Sequence, residues 1–168
     1  MLMSVGYIWG LKKEIKDVDA NMNYVKLVKN ILDIAIKQSG INMAIDEDPY
    51  LINSMQSSKF PVFVCAPTEP QIERENYYEF HLTLYYIDRE QAANTEYGNA
   101  ETSNIHSAGI SILGNIIKKI RALDEVVDVD ETIQYTLFND TEVFADRCNG
   151  VYTTITIRVP KDGNCYTE

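Results

Sequence analysis

Cations are scarce in this chain: its 168 residues carry 15 Lys and Arg against 25 Asp and Glu, a formal net charge of -10. Phosphate-driven nucleic-acid binding needs clustered cations, and the sequence offers no cluster beyond Lys118-Lys119 with Arg121. Tight nucleic-acid binding is not the expected role. Cysteine is scarce too. Cys65, Cys148 and Cys165 are odd in number and have no CxxC spacing, which argues against a disulfide framework or a thiolate metal knuckle and for reduced thiols. Two histidines, His81 and His106, cannot supply a three-histidine zinc site, and neither belongs to an HExxH. There is no Gly-rich phosphate loop followed by Lys and Ser or Thr, no GxGxxG after a strand and no GxSxG elbow. No cofactor or metal is expected. No segment approaches the roughly 20 apolar residues needed to span a bilayer. The apolar start, Met1 to Trp9, lacks a leading basic region and meets Lys12, Lys13 and Glu14 too soon for a signal peptide. Synthesis in a cytoplasm, with no membrane partner, is the expectation.

What is present is ordinary in bulk: 45% hydrophobic and 24% charged residues, enough to bury the core of one domain. The clearest pattern lies near the C-terminus. Val151, Thr153, Ile155, Ile157 and Val159 fall on one side of a strand, with Tyr152, Thr154, Thr156 and Arg158 on the other. Ile133 to Phe138 alternates in the same way, and Asn139-Asp140 and Cys148-Asn149-Gly150 are turn signals, so a C-terminal antiparallel meander is predicted. Asn76 to Asp88 is the longest strand candidate, with Tyr78, Phe80, Leu82, Leu84 and Tyr86 opposed to Glu79, His81, Thr83 and Tyr85. Phe60 to Ala66 is a shorter one, entered at Pro61.

Two helices are predicted. From Asn21 to Ser39 the stripe is Tyr24, Val28, Ile31, Leu32, Ala35 and Ile36, with Asp19 or Asn21 as cap and Gly40 as stop. From Ile105 to Leu123 it is Ile105, Gly109, Ile112, Ile116, Ile117 and Ile120, capped by Thr102, Ser103 or Asn104. Lys118, Lys119 and Arg121 suit the negative end of that helix, and Gly109 and Gly114 permit close approach to a sheet. Ile41 to Lys59 reads as irregular; its Asp46-Glu47-Asp48 lacks the spacing and glycine of a calcium loop and reads as solvated. Residues 89–103 read as a protruding polar loop facing a partner or a lumen. The division expected is an N-terminal arm over 1–19, one domain over 20–160 and a C-terminal tail over 161–168. The fold class expected is α+β, a mainly antiparallel sheet with two principal helices on one face.

Chemistry is harder to find. Cys148 with His81 or His106 is a conceivable dyad, but Asp146 and Arg147 offset one another beside the thiol, and a buried structural cysteine is favoured. His81 on its strand reads as a hydrogen-bonding residue. Carboxylate pairs abound in so acidic a chain and single out nothing. A binding or structural role is favoured over a small enzyme or a regulatory binding protein. The sheet face opposite the helices would carry His81, Thr83, Tyr85, Gln134, Thr136, Tyr152, Thr154, Thr156 and Arg158, too aromatic and threonine-rich for solvent alone.

The element order and the closing segment, Glu142 to Val159, with Phe144-Ala145-Asp146 before Gly150-Val151 and a long alternating strand, resemble the tail terminator and neck (head-to-tail joining) proteins of tailed bacteriophages. The resemblance covers residues 21 to 159. It implies a structural virion protein, made in the host cytoplasm, that forms a ring of six or twelve copies beside portal, neck or tail neighbours. DNA would pass through the lumen without being held. On that reading the interface or lumen candidates are Tyr85, Tyr135, Phe144, Tyr152, Arg158, Asp128 and Asp130.

Overall fold

The computed structural model describes residues 14–49, 59–68, 70–89, 98–140 and 148–161. In chain order the elements are α1 (Glu14–Ile36), β1 (Met43–Ile45), β2 (Val62–Pro67), β3 (Ile72–Glu73), β4 (Tyr77–Arg89), α2 (Gly98–Ile120), β5 (Asp128–Val129), β6 (Thr136–Asp140) and β7 (Cys148–Pro160). The fold is α+β. Strands β4 and β7 are each 13 residues long and pair antiparallel from end to end, Tyr77 opposite Pro160 and Arg89 opposite Cys148. Their shared alternation puts Tyr78, Phe80, Leu82, Leu84 and Tyr86 on the same face as Val159, Ile157, Ile155, Thr153 and Val151. The strand order is β1-β2-β4-β7-β5, with β3 added to β4 and β6 to β7. Among the described residues only β1 and β2 run parallel. Strand β6 pairs antiparallel with β7, as the predicted meander requires, and β7 lies inside the sheet between β4 and the short β5 and β6.

Both helices cover one face, as expected. Leu27, Ile31 and Ala35 of α1 and Ile105, Leu113, Ile116, Ile117 and Ile120 of α2 join Phe63, Leu82, Leu84, Ile155 and Ile157 in one buried cluster. Burying these side chains contributes roughly 1.5–3 kcal/mol each, which is what offsets chain ordering in a domain this size. Gly40 follows α1 at φ 90°, the left-handed conformation that a glycine adopts without a Cβ clash. At Gly109 helix α2 lies close against the sheet: a Cβ there would lie 2.7 Å from Val151 Cγ2 and 2.9 Å from Tyr86 Cδ1.

Several boundaries differ from the sequence reading. Helix α1 begins at Glu14, inside the segment read as an arm, and α2 begins at Gly98, inside the segment read as a loop. Met43–Ile45, read as irregular, is a three-residue parallel strand beside β2. Within α1, Ile36 is 45% exposed while Leu27, outside the predicted stripe, is buried.

Thr153 is a local inconsistency in this core. It faces the helices, is 1% exposed, and its hydroxyl has no hydrogen-bond partner. An unpaired buried hydroxyl costs about 1–3 kcal/mol. Thr153→Val is therefore expected to raise the unfolding free energy by about 1 kcal/mol, read from the urea midpoint; a loss of that size would show the hydroxyl to be satisfied.

Candidate assembly surface

The second face of the sheet divides in two. At one end Val62 and Val64 of β2, Ile87 of β4, Cys148 of β7 and the preceding Phe60 are all buried, with Met43, Ile45, Tyr85 and Phe138 packed around them. The Arg89 guanidinium lies 4.5 Å above the Phe60 ring. This end is sealed, so the expectation of a wholly free second face is corrected. The signal was in the sequence: Val62-Phe63-Val64-Cys65 is apolar at every position, which marks a strand buried on both sides.

The rest of the face is a polar and aromatic strip, and it begins at Tyr85 and Phe138, which border the sealed cluster. Tyr85 and Tyr152 are cross-strand partners with ring centroids 5.4 Å apart, and Phe138 continues the row 6.3 Å from Tyr152. Beyond them a chain of hydroxyls runs Thr68, Thr83, Thr154, at 2.5 and 3.0 Å, ending on the exposed Thr154. His81 comes next. Its Nδ1 is 3.3 Å from Thr156 Oγ1, and Gln71 brackets its backbone, accepting from the His81 N–H at 2.9 Å and donating to its carbonyl at 3.0 Å. These contacts tie the strip's side chains to one another and to the sheet backbone.

The strip ends on charge. Glu79, buried beneath it, accepts from Arg74 Nε at 3.0 Å and lies 3.8 Å from Arg158 Nε, while Arg158 donates to Asp128 at 2.5 Å. The Arg74 hydrogen bond, joined by the charges of both arginines, holds the Glu79 carboxyl below its ordinary 4.5 in spite of its burial. Burial alone would lower Arg158, but the Asp128 hydrogen bond and the Glu79 and Asp128 charges raise it. A depressed folded-state pKa stabilises the fold above the unfolded value, and this stabilisation is lost as pH falls through the folded one. Acid should therefore weaken the protein below pH 4.5, and Glu79→Gln should make the loss of stability with falling pH shallower there. Equal slopes for the two proteins in urea titrations would contradict this.

The predicted site residues do not all meet. Tyr85, Tyr152 and Arg158 share the second face, whereas Tyr135 packs against the helix-side core, its hydroxyl 3.3 Å from where a Cβ on Gly114 would sit. Asp128 is tied to Arg158, and the Asp130 carboxylate accepts from the Thr156 backbone N–H at 2.7 Å, so both close the sheet edge. Phe144 lies outside the described residues. Cys148 is buried in register with Arg89, and His81 in register with Thr156, eight positions along β7, or about 26 Å away. His81 therefore forms no dyad with Cys148. His106, on α2, binds the Phe138 carbonyl at 3.1 Å from the helix side. Burial, with Asp46 nearby, pushes the Cys65 thiol up to about 12, which makes it unreactive. The residues missed by the sequence reading are Thr68 and Gln71, which sit on short segments where alternation gives no signal, and Phe138, which follows Gln134 and Thr136 in parity but was not singled out.

Among the described residues, no group of three or more His, Cys, Asp or Glu is placed to hold a metal ion, and no helix is long and apolar enough to cross a membrane. An open pocket of about 350 Å³ lies between Arg121, Val126, Val127, Asp128, Val129 and Glu131, where aliphatic and charged groups bring no nucleophile beside a base. No protein-family model matches this chain, and no curated protein does.

Proposed function

We propose that the chain is a structural virion protein, a tail terminator or head-to-tail connector subunit of a tailed bacteriophage, that works as a homo-oligomeric ring of six or twelve copies. The observation that carries this is the divided second face. One end is closed by the subunit's own residues; the other offers Tyr85, Tyr152 and Thr154 in a rigid strip whose hydrogen bonds are internal. A preorganised aromatic and hydroxyl surface loses little side-chain entropy on docking, so it suits a neighbour in an assembly. A net charge of -10 adds a second property, since an acidic channel wall repels DNA phosphates and lets duplex pass without sticking.

The test is direct. Purified protein mixed with duplex DNA at low salt should show no tight binding. Nanomolar affinity under those conditions would remove the lumen role. An activity abolished by Cys148→Ala would instead support an enzyme, against the burial of that thiol.

A further inference from the structure

Strand β6 is paired with β7 on one side, and among the described residues no strand pairs with its other edge. That edge is open to solvent: Thr136, Leu137 and Asn139 are all exposed. Leu137 stands opposite Val151, on the face that carries the helices, yet is 50% exposed. Ile110 borders the same gap. It lies one helical turn after His106, whose ring reaches the Phe138 carbonyl, and is 38% exposed. An unpaired strand edge beside two exposed aliphatic side chains is a template for one more strand.

The sequence holds a segment that fits it. Met1 to Gly10 carries no charged side chain, so it approaches a chain of net charge -10 without like-charge repulsion of its own. Within it Met3, Val5, Tyr7 and Trp9 alternate with Leu2, Ser4, Gly6 and Ile8, and the first set is an unbroken apolar row at strand spacing. It falls short of β6 in its own subunit. Gly40, just past α1, faces Ile112 of α2, whereas Tyr24 packs on Phe80, so α1 points its N-terminal end away from β6. Phe80 pairs with Ile157, five positions beyond the Tyr152 that meets Thr136, which is about 17 Å. The helix from Tyr24 back to Glu14 adds about 15 Å. The link from Trp9 to Glu14 spans at most about 18 Å, too short to lay Met3 to Trp9 along that edge.

We infer that residues 3–9 of one copy add as a strand to the free edge of β6 in its neighbour, with Met3, Val5, Tyr7 and Trp9 over Leu137 and Ile110. This rests on the ring reading and names its subunit contact. Each copy gives one segment and receives one, so the contact is heterologous and closes into a ring when the rotation per subunit allows. Backbone pairing supplies affinity, and the apolar row sets which face is buried.

Trp9 is the only tryptophan, so its emission reports on this segment directly. In dilute full-length protein it should emit as a solvated indole, and raising the concentration should shift the emission to the blue in step with assembly followed by sedimentation velocity. Two variants are compared: Leu137→Asp, at an exposed position, and Val5→Asp/Tyr7→Asp, ahead of α1. Each should self-associate roughly tenfold more weakly or worse and lose the shift. Circular dichroism and thermal melting check that both fold. Mixed in equal amounts they should form pairs and go no further, because the first keeps a good segment and the second a good edge. That pairing is the decisive readout, since loss of folding in either variant does not produce it. A blue-shifted Trp9 in the dilute monomer, or wild-type assembly without a shift, would overturn the strand addition and leave the ring standing. So would wild-type-like assembly by either variant alone, or a mixture that stays unpaired. A wild type that remains monomeric at every concentration would overturn both.

Discussion

Gly150→Ala is expected to cost about 3 kcal/mol or more, a large share of the 5–15 kcal/mol that holds a domain of this size together. A Cβ at this position would overlap the Tyr86 carbonyl oxygen and come within 2.6 Å of the Phe138 ring. The ring can swing away; the carbonyl cannot, because it belongs to the central strand β4, paired with β2 on one side and β7 on the other. Phe138→Ala should therefore fail to rescue the variant. A urea midpoint within 1 kcal/mol of wild type, on the order of a routine surface substitution, would show that the two central strands are less closely apposed than described.

Gly109→Leu is the second large effect, again about 3 kcal/mol or more, by overpacking between α2 and the sheet. Gly109→Ala is the finer instrument. It removes roughly 1 kcal/mol of helix-propensity penalty but drives a methyl against Val151 Cγ2 and Tyr86 Cδ1. In a Val151→Ala background the nearest clash is gone, so the same substitution should become neutral or stabilising. A double-mutant cycle with no coupling between positions 109 and 151 would contradict the contact.

Much of this architecture was legible because β4 and β7 alternate without interruption and their registers coincide over 13 residues. The helix stripes were legible in part. Tyr24, Leu27, Val28, Ile31 and Ala35 follow the 3.6-residue period, whereas Ile36 sits a further 100° round the helix and reaches solvent. The early start of α2 was hidden because its first two turns carry no apolar stripe before Ile105, and β1 because three residues are too few to show a period. For the candidate surface, Tyr85, Tyr152 and Arg158 were legible from parity alone. Tyr135 alternates with Gln134 and Thr136, so parity puts it on the helix side, where it packs, and not on the candidate face. Nor does sequence reveal that Asp130 uses its carboxylate to complete a backbone pairing.

The measurement closest to the proposed role is the copy number of this chain in phage particles purified from the lysate in which it is made, counted by quantitative mass spectrometry against the capsid protein. Six or twelve copies of the 19.2 kDa chain per virion are expected. Its absence from intact virions, with the protein left behind in the host lysate, would contradict the assembly role.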